Sequence, residues 1–439
     1  MSNFALRDKL EIVKNILKEI HKGARVVDLK EKYREVLAEI SPLDIVLVEQ
    51  MLVREGVSVE EILHLCDLHV ELFREALQSR ELQGLEKGHP LELLMRENEW
   101  ILRRAELLGL YTEIAGTAAS DEGILEVYGE VVKLLLDLKK IRLHYRKIQM
   151  LIFPYLERMG VIPIPRVMWG REDSVIVKLR SLIQETEKAL SERNTAKLRE
   201  LTNSLRDLSK EIVDLVFREN KILYPAVHAL LPEGAWTVVS EIADEIGYIV
   251  EKGETSWKPR APPVYPYEWV PVVNEQVLEK LPVEFKHAVE RLKPDDYRVQ
   301  RDEDLVLETG FLSREEIEGI FRSLPLELTF ADANDRVRFY TESEITGGFV
   351  RTKTILGRRV EYCHPPRLEK YVMQNVEAVK QGKFRYREFW TKQGDRIIRV
   401  LVVPVKARDG RYLGVLEVVE DLTDVVEHPE EVKKKIMVL

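Results

Sequence analysis

The chain has little of several features that would assign it to a specialised class of proteins. It contains two cysteines in 439 residues, which excludes a disulfide scaffold and suits a reducing compartment. No apolar run approaches the roughly 18 residues that a membrane span requires. The N-terminus lacks the apolar core of a signal peptide, and a net charge of −9 leaves no basic surface for nucleic acid. We therefore expect a cytoplasmic protein that binds neither membrane nor nucleic acid.

Two stretches of the chain end in the same way, and the positions at which they differ are informative. Residues 144–157 and 215–228 both contain an aromatic residue followed by proline. Ten and six residues before the proline, the first stretch has His144 and Ile148, and the second has Leu215 and Glu219. A His and a Glu four residues apart lie about 40° apart on one helical face and can hold a metal inside a bundle. Each stretch keeps one half of such a pair, which indicates a metal-binding ancestor.

Helical periodicity and composition divide the chain into four parts. Residues 1–82 are predicted to form an N-terminal module of short helices, and residues 86–252 an antiparallel four-helix bundle. Proline and aromatic residues predict a linker and connecting helices over 253–322. Alternating residues and turns over 323–427 predict an antiparallel sheet with helices on one side, an α+β domain. The four bundle patterns run over about 90–118, 121–158, 171–191 and 194–230.

The predicted bundle resembles a known family. Residues 89–230 are similar to the hemerythrin-like (HHE) cation-binding bundle. The segments that carry this resemblance are His89-Pro90, Arg96-Glu97-Asn98, the 144–157 stretch, Val167-Met168-Trp169-Gly170, and Glu219 with Tyr224-Pro225. The resemblance implies a metal site between the helices, made of imidazole and carboxylate ligands that suit iron.

Carried over residue by residue, the resemblance assigns His89 to the first helix, His144 to the second and Glu219 to the fourth. Glu97, Glu172 and Asp173 are supplementary candidates. Ile148 and Leu215 stand where further ligands are expected, so the set is thin for a di-iron site. Three alternatives are open: a di-iron site, a single iron or zinc ion, or a metal-free bundle. In the last case the polar residues pair with one another, and His89 caps its helix.

The two ends of the chain resemble two further families. Residues 4–80 look like a domain of unknown function, number 438 in its series, through the run from Glu60 to His69. Residues 324–425 resemble a PAS sensor domain of the subtype that carries Cys363-His364-Pro365-Pro366. PAS domains often bind a ligand between sheet and helices, and heme needs an axial His or Cys. The resemblance therefore implies heme or another small ligand at His364, with Cys363 as the alternative contact.

Each of the two cysteines stands near a histidine. Cys66 and His69 share one face of a predicted helix, and Cys363 precedes His364. A thiol beside a charged imidazole can have a lowered pKa and respond to redox changes. Both cysteines could also ligate a soft or borderline metal. A further interpretation of Cys66 is a small core residue.

These observations lead to one expected function and two alternatives. We expect a sensory or regulatory protein that responds to a redox change or a small gas through a metal in the bundle, a ligand in the PAS domain, or both. Because no output module is recognisable, the signal would pass to an unknown protein partner or through a homodimer. The first alternative is a nonheme-iron oxidoreductase acting on oxygen, peroxide or nitric oxide, although no catalytic constellation stands out. The second is an interaction protein without a cofactor.

Overall fold

The chain forms two compact units in a computed structural model, Met1–Arg298 and Val299–Leu439. The structure describes residues 3–38, 40, 42–58, 61, 72, 77, 82, 84–271, 293–342 and 351–437. The predicted pair of Cys66 and His69 lies outside these residues. Within the described ranges, no helix is long and apolar enough to cross a membrane.

The N-terminal unit is helical, as predicted. Its helices are α1 Asn3–His21, α2 Val26–Lys32, α3 Arg34–Ala38, α4 Pro42–Arg54, α5 Pro90–Thr117, α6 Asp121–Leu138, α7 Ile141–Lys147, α8 Phe153–Arg158, α9 Pro163–Ser191, α10 Thr195–Arg218, α11 Tyr224–Leu230 and α12 Glu233–Ile246.

One hydrophobic core joins the short N-terminal helices to the bundle. Val13, Ile16 and Leu17 of α1 are fully buried, and the cluster of apolar side chains that contains them continues into α5–α12. Side chains of α4 and α9, such as Ile45 and Ile164, line the same small cavity. Burying one such side chain contributes about 1.5–3 kcal/mol. In the described part of the chain, the N-terminal helices therefore share their core with the bundle.

The four predicted long helices are present. Side-chain caps fix three of their starts: His89 accepts from the amide of Leu91, Ser120 from Gly123, and Asn194 from Lys197. The third helix begins at Pro163, eight residues before the predicted start. Its first turn includes two prolines, whose missing N–H groups would have no helical partner there in any case. The helix α12 extends the bundle and was not predicted.

Two π-helical turns interrupt the bundle at matching places. They span Ile148–Ile152 and Glu219–Leu223, each directly before an aromatic–proline pair. In both, an amide donates to the carbonyl five residues earlier, from Phe153 to Ile148 and from Tyr224 to Glu219. The following proline has no N–H for the usual bond to the residue four before it, which favours the wider turn. The repeated sequence pattern thus has a repeated backbone form.

After α12 the chain continues as an extended segment, residues 247–271, which we call the strap. Its main chain bonds repeatedly to the bundle. The amides of Ser256 and Trp257 donate to Lys87 O at 2.9 and 3.0 Å, and the amide of Val264 donates to Gly234 O at 3.1 Å. Trp257 is 7% exposed and packs on His89.

The C-terminal unit contains the predicted α+β domain. Its elements are β1 Leu305–Leu307, β2 Gly310–Leu312, α13 Arg314–Ser323, β3 Glu327–Asp332, β4 Val337–Tyr340, α14 Pro366–Lys380, β5 Arg387–Gln393, β6 Arg396–Lys406, β7 Tyr412–Asp421, α15 Thr423–Glu427 and α16 Pro429–Lys434. A five-stranded antiparallel sheet has the order β4-β3-β7-β6-β5. Helix α14 packs against one sheet face, where Val376 and Val379 meet Ala331 and Val415 in a small core.

Candidate functional site

The four long bundle helices together bury a set of polar side chains. Each of these side chains is at most 1% exposed. We call the set the buried cluster: Glu97 and Asn98 on α5, His144 and Lys147 on α7, Glu172 on α9, Glu219 on the second π turn, and Tyr224 at the start of α11. Buried charges are costly unless they are paired, so their contacts define the site.

His144 lies at the centre of the cluster, between two carboxylates. Its Nδ1 is 2.7 Å from Glu97 Oε2, and its Nε2 is 2.9 Å from Glu219 Oε2. Burial acts to lower the pKa of the ring, but Glu219 and Glu97 outweigh it and raise the pKa to about 9. At neutral pH without a metal, the ring is therefore an imidazolium that donates from both nitrogens. His144 and Glu219, which the two repeated stretches retain, thus bond to each other.

Glu97 connects His144 to Lys147 and to the strap. Its Oε1 accepts from Lys147 Nζ at 2.9 Å and from the amide of Ile249 at 2.8 Å. Burial acts to raise the pKa of Glu97, but His144 and Lys147 outweigh it and the pKa is lowered. Lys147 Nζ also donates to Gly247 O at 2.7 Å, at the C-terminus of α12 where a cation is favourable. Burial lowers the pKa of Lys147.

Glu172 is buried beside Glu219 and holds a proton at neutral pH. Burial and the charge of Glu219 raise the pKa of Glu172 to about 8. One of its oxygens, Oε2, accepts from Gln149 Nε2 at 2.7 Å. With Glu172 neutral, the cations of His144 and Lys147 balance the anions of Glu97 and Glu219. The cluster as described is thus neutral overall.

Among the residues that the structure describes, several buried oxygen atoms in this region have no hydrogen-bond partner. They are Asn98 Oδ1, Tyr145 Oη, Glu172 Oε1 and Glu219 Oε1. Burial raises the pKa of the Tyr145 hydroxyl, and the charges of Glu219 and Glu172 raise it further. Unpartnered buried polar atoms are rare in native proteins and call for a ligand, water or ion. Carboxylate, amide and hydroxyl oxygens are donors that hard divalent cations prefer.

Tyr224 and Asn98 link the cluster across the bundle. The Tyr224 hydroxyl lies 3.3 Å from both His144 Nε2 and Glu219 Oε2. Asn98 Nδ2 donates to the Tyr224 hydroxyl at 3.2 Å and to Asn220 Oδ1 at 2.9 Å. These bonds fix the side chains that surround the imidazole.

His89 lies apart from the cluster. Its Nδ1 accepts from the amide of Leu91 at 3.1 Å, which makes it the cap of α5. Glu97 stands eight residues further along that helix, about 12 Å along its axis. The His89 ring packs against Trp236 and Trp257 at centroid distances of 4.9 and 5.3 Å. Burial lowers its pKa to about 4, so this side chain is neutral.

The cluster provides fewer ligands than a di-iron centre requires. A di-iron centre does not fit, because Ile148 and Leu215 are buried apolar side chains and His89 is elsewhere. Among the residues that the structure describes, no group of three or more His, Cys, Asp and Glu side chains stands ready to hold a metal ion. The donor atoms of His144, Glu219 and Glu172 are nonetheless of the kinds that iron and zinc bind. Asp173, the neighbour of Glu172, is exposed.

The predicted PAS contacts lie before α14. His364 is half-buried, and its Nδ1 is 3.0 Å from Val360 O. Since the carbonyl can only accept, Nδ1 carries the proton and Nε2 has the free lone pair when the ring is neutral. Cys363 is exposed, and partial burial raises the pKa of its thiol. A raised pKa gives less thiolate at neutral pH, contrary to the lowered pKa that the sequence suggested.

The structure brings together His144, Glu97, Glu219 and Glu172 from the predicted set. Sequence reasoning missed Lys147, Tyr224 and the burial of Asn98. Lys147 follows His144 by three residues and therefore shares its helical face, a signal that could have found it. Asn98 follows Glu97 directly, and Tyr224 is the aromatic residue of the second aromatic–proline pair, but nothing local assigned either one a contact.

Comparisons with known proteins identify the two ends of the chain. Residues 13–79 match the sequence profile of a family of unknown function (DUF438), and residues 317–423 match that of the PAS domain. Both resemblances are thereby confirmed, and the PAS domain supports a sensory or regulatory protein. Neither match includes the bundle, so its hemerythrin-like resemblance stays a prediction. A search of curated proteins found no match.

Solved structures similar to this chain cover about a quarter of it. The C-terminal domain of a Streptococcus mutans protein is 29% identical, over 28% of this chain and 96% of that one, with a TM-score of 0.27. A PAS domain from Colwellia psychrerythraea is 17% identical, over 25% and 97%, with a TM-score of 0.21. A sensory box sensor histidine kinase from Vibrio cholerae is 14% identical, over 25% and 90%, with a TM-score of 0.20.

Proposed function

We propose that this sensory or regulatory protein responds to a redox or small-gas signal through a single metal ion in its bundle, iron or zinc, held by His144, Glu219 and Glu172. The observation that carries the proposal is the set of buried oxygens without partners beside a buried imidazole. A fully buried imidazole with a carboxylate on its other nitrogen, here Glu97, resembles the arrangement that orients metal-binding histidines.

The charge count supports a divalent ion. Without metal, His144 and Glu172 each hold one proton, and each would lose that proton when a metal binds. An ion of charge +2 that replaces both protons leaves the net charge of the cluster unchanged. A dry interior tolerates such an exchange far better than the addition of net charge. When bound, iron would supply redox activity and an open position for a small gas, whereas zinc, which has no redox chemistry, would supply only the open position.

The residues have separable roles in this proposal. His144 would offer Nε2 while its Nδ1–H donates to Glu97, which holds the ring in one tautomer. Glu219 already lies 2.9 Å from Nε2. Glu172 would give up its proton and turn from Gln149 toward Glu219. Tyr224 and Asn98 would line the remaining side of the site and exclude water.

The test is elemental analysis and absorption spectroscopy of anaerobically purified protein, with each metal added back after chelation. We expect about one ion per chain. Glu172→Gln and Glu219→Gln remove proposed ligands, so each should lose at least the roughly 10- to 100-fold in affinity that the loss of a residue supporting a ligand costs. Glu187→Gln is the matched control, because Glu187 lies exposed on the same helix as Glu172. Wild-type protein that retains no more metal than Glu219→Gln would overturn the proposal and favour the cofactor-free interaction protein. Consumption of peroxide, oxygen or nitric oxide that His144→Ala abolishes would favour the oxidoreductase.

A ligand in the PAS domain, such as heme, is the second candidate. The bond from Nδ1 to Val360 O supports it, because it leaves the Nε2 of His364 available as an axial ligand. We expect an absorption band of heme, or a shift in the spectrum on heme addition, that His364→Ala abolishes. The exposed His428, in the same unit, provides the control substitution His428→Ala. Equal heme binding by both variants would exclude His364 as the contact.

A further inference from the structure

The strap bonds directly to the buried cluster at its first residues. Ile249 donates its amide to Glu97 Oε1 at 2.8 Å, while His144 bonds to Oε2 of the same carboxylate. Gly247 O accepts from Lys147 Nζ, which also bonds to Glu97. One carboxylate is therefore shared between the candidate metal ligand and the strap. Through this carboxylate, His144 and Ile249 belong to one hydrogen-bond network.

Neighbouring main-chain bonds extend this attachment. Arg96, directly before Glu97, donates to the carbonyls of Glu251 and Lys252 at 2.7 and 3.1 Å. Further along, the hydroxyl of Tyr155 donates to Val264 O at 2.7 Å, and that of Thr237 to Ala261 O at 2.9 Å. Because most of these bonds use the backbone of the strap, they depend on its position more than on its sequence.

Two glycines of the bundle allow the strap to lie close. A Cβ on Gly88 would stand 2.5 Å from the side chain of Thr255. A Cβ on Gly234 would stand 2.5 Å from Pro262 O and 2.7 Å from Val264 Cγ2. Contacts this short leave no room for a side chain. The bundle thus leaves space for the strap at Gly88 and Gly234, both of which lie outside the cluster.

We infer that the strap is the regulatory element of the cluster: its docking on the bundle is coupled to the state of Glu97 and His144, and it docks as one unit along residues 249–264. The chain reaches its C-terminal unit only through the strap, so this coupling gives the cluster a covalent route to the PAS domain. As regulation of the proposed metal site it rests on the proposed function, whereas the coupling of strap and cluster stands without a metal. Coupling of this kind is reciprocal, so displacing the strap must also change the cluster.

The test is hydrogen–deuterium exchange of the full chain in chelator, comparing wild type with Lys147→Met. A hydrogen bond to a charged group is worth enough to change opening by about tenfold or more. We expect exchange at residues 249–264 to rise at least about tenfold, with α10 unchanged. Lys178→Met is the control, because Lys178 pairs with Glu211 at 2.8 Å, and neither residue bonds to the strap in the structure. Unchanged exchange in the strap of folded Lys147→Met would overturn the inference.

A second variant acts from outside the cluster and does not depend on how Lys147→Met folds. Gly234→Ala should displace the far end of the strap and raise exchange as far back as Ile249. It should also shift the nitrogen NMR signals of the His144 ring. Gly129→Ala is the matched control, since a Cβ there meets nothing within 4 Å. A rise confined to Ala261 and Val264, which flank two prolines that have no amide N–H, with the signals of His144 unmoved, would refute docking as one unit.

Metal addition separates this inference from the proposed function. Ferrous iron or zinc should change strap exchange in the wild type, and Lys147→Met should reduce that change. If the two variants loosen the strap but metal neither binds nor changes exchange, the proposed function fails and the inference stands. If metal binds while both variants leave the strap unchanged, the inference fails and the proposed function stands.

Discussion

The segments 144–157 and 215–228 have the same local backbone conformation but place side chains of opposite charge in the interior. Both contain a π turn before an aromatic–proline pair. The first contributes the base of the cluster, His144, where the second has Leu215. The second contributes an acid, Glu219, where the first has Ile148. The proline favours the same backbone conformation in both segments, so the side chains can differ. The one requirement is that the base of the first segment and the acid of the second can pair.

The largest expected effect comes from removing the base alone. His144→Leu makes the first segment match the second at this position and leaves Glu219 without its cation. Breaking one member of a buried pair costs about 3–5 kcal/mol. Chemical denaturation should show this loss of stability. Adding Glu219→Ile, which removes the acid as well, should recover much of it, since apolar replacement of a whole buried pair is often neutral. A double variant no more stable than His144→Leu would contradict the pairing.

The opposite change restores what each segment lacks. Leu215→His with Ile148→Glu gives both segments a His and a Glu four residues apart. Since imidazole and carboxylate suit iron and zinc, we expect tighter metal binding, by about tenfold or more, than in the wild type. Calorimetric titration of chelated protein measures the gain. Leu215→Phe is the control for altered volume at the same site. Equal affinities in all three proteins would show that the two segments do not face one metal site.

The retained pair also predicts how stability depends on pH. Between about pH 6.5 and 8, the folded chain without metal keeps protons on His144 and Glu172 that the unfolded chain releases, because their pKa values are raised to about 9 and about 8. Stability should therefore fall as pH rises through this range, by at most about 1.4 kcal/mol per pH unit for each group. Denaturation in chelator at several pH values measures the slope. The double variant His144→Leu with Glu219→Ile should have a smaller slope, and a slope equal to the wild type would exclude His144 as a source.

The prolines give the smallest expected effect. Pro154→Ala and Pro225→Ala should each change stability by about 1 kcal/mol or less, because packing holds the flanking helices in place. Only Pro225→Ala should shift the NMR signals of the His144 ring, since only the second π turn carries a residue of the cluster. Equal shifts in both variants would mean that the two turns are mechanically linked.

Much of the architecture was predictable, because it depends on periodicity and local signals. The five-stranded sheet and helix α14 lie within residues 323–427, the region for which an antiparallel sheet with helices on one side was predicted. The start of α9 at Pro163 was missed, since proline at the first turn of a helix and proline in a loop look alike in a sequence. The alignment of the two segments singled out His144 and Glu219 as candidate ligands. It could not show that they bond to each other, because that depends on how the helices pack.

His89 also shows how far the site could be predicted from the sequence. A histidine before proline at a helix start suits both a cap and a ligand. The structure shows the cap, because the Leu91 amide donates to Nδ1 and two tryptophans pack around the ring. Lys147 and Asn98 were missed for a related reason. A buried lysine or asparagine is unfavourable without partners, and its partners here come from helices far away in the chain.

The shared core of α1–α4 and the bundle has a consequence for how the molecule melts. Ile45 of α4 meets Ile164, Val167 and Met168 of α9 around one small cavity, with Ile222 of the second π turn. The short helices therefore cannot detach without exposing apolar surface on the bundle. On heating, we expect residues 1–298 to absorb heat in a single cooperative peak in scanning calorimetry. A fragment that starts after residue 84 should precipitate at a temperature at which the whole chain remains clear.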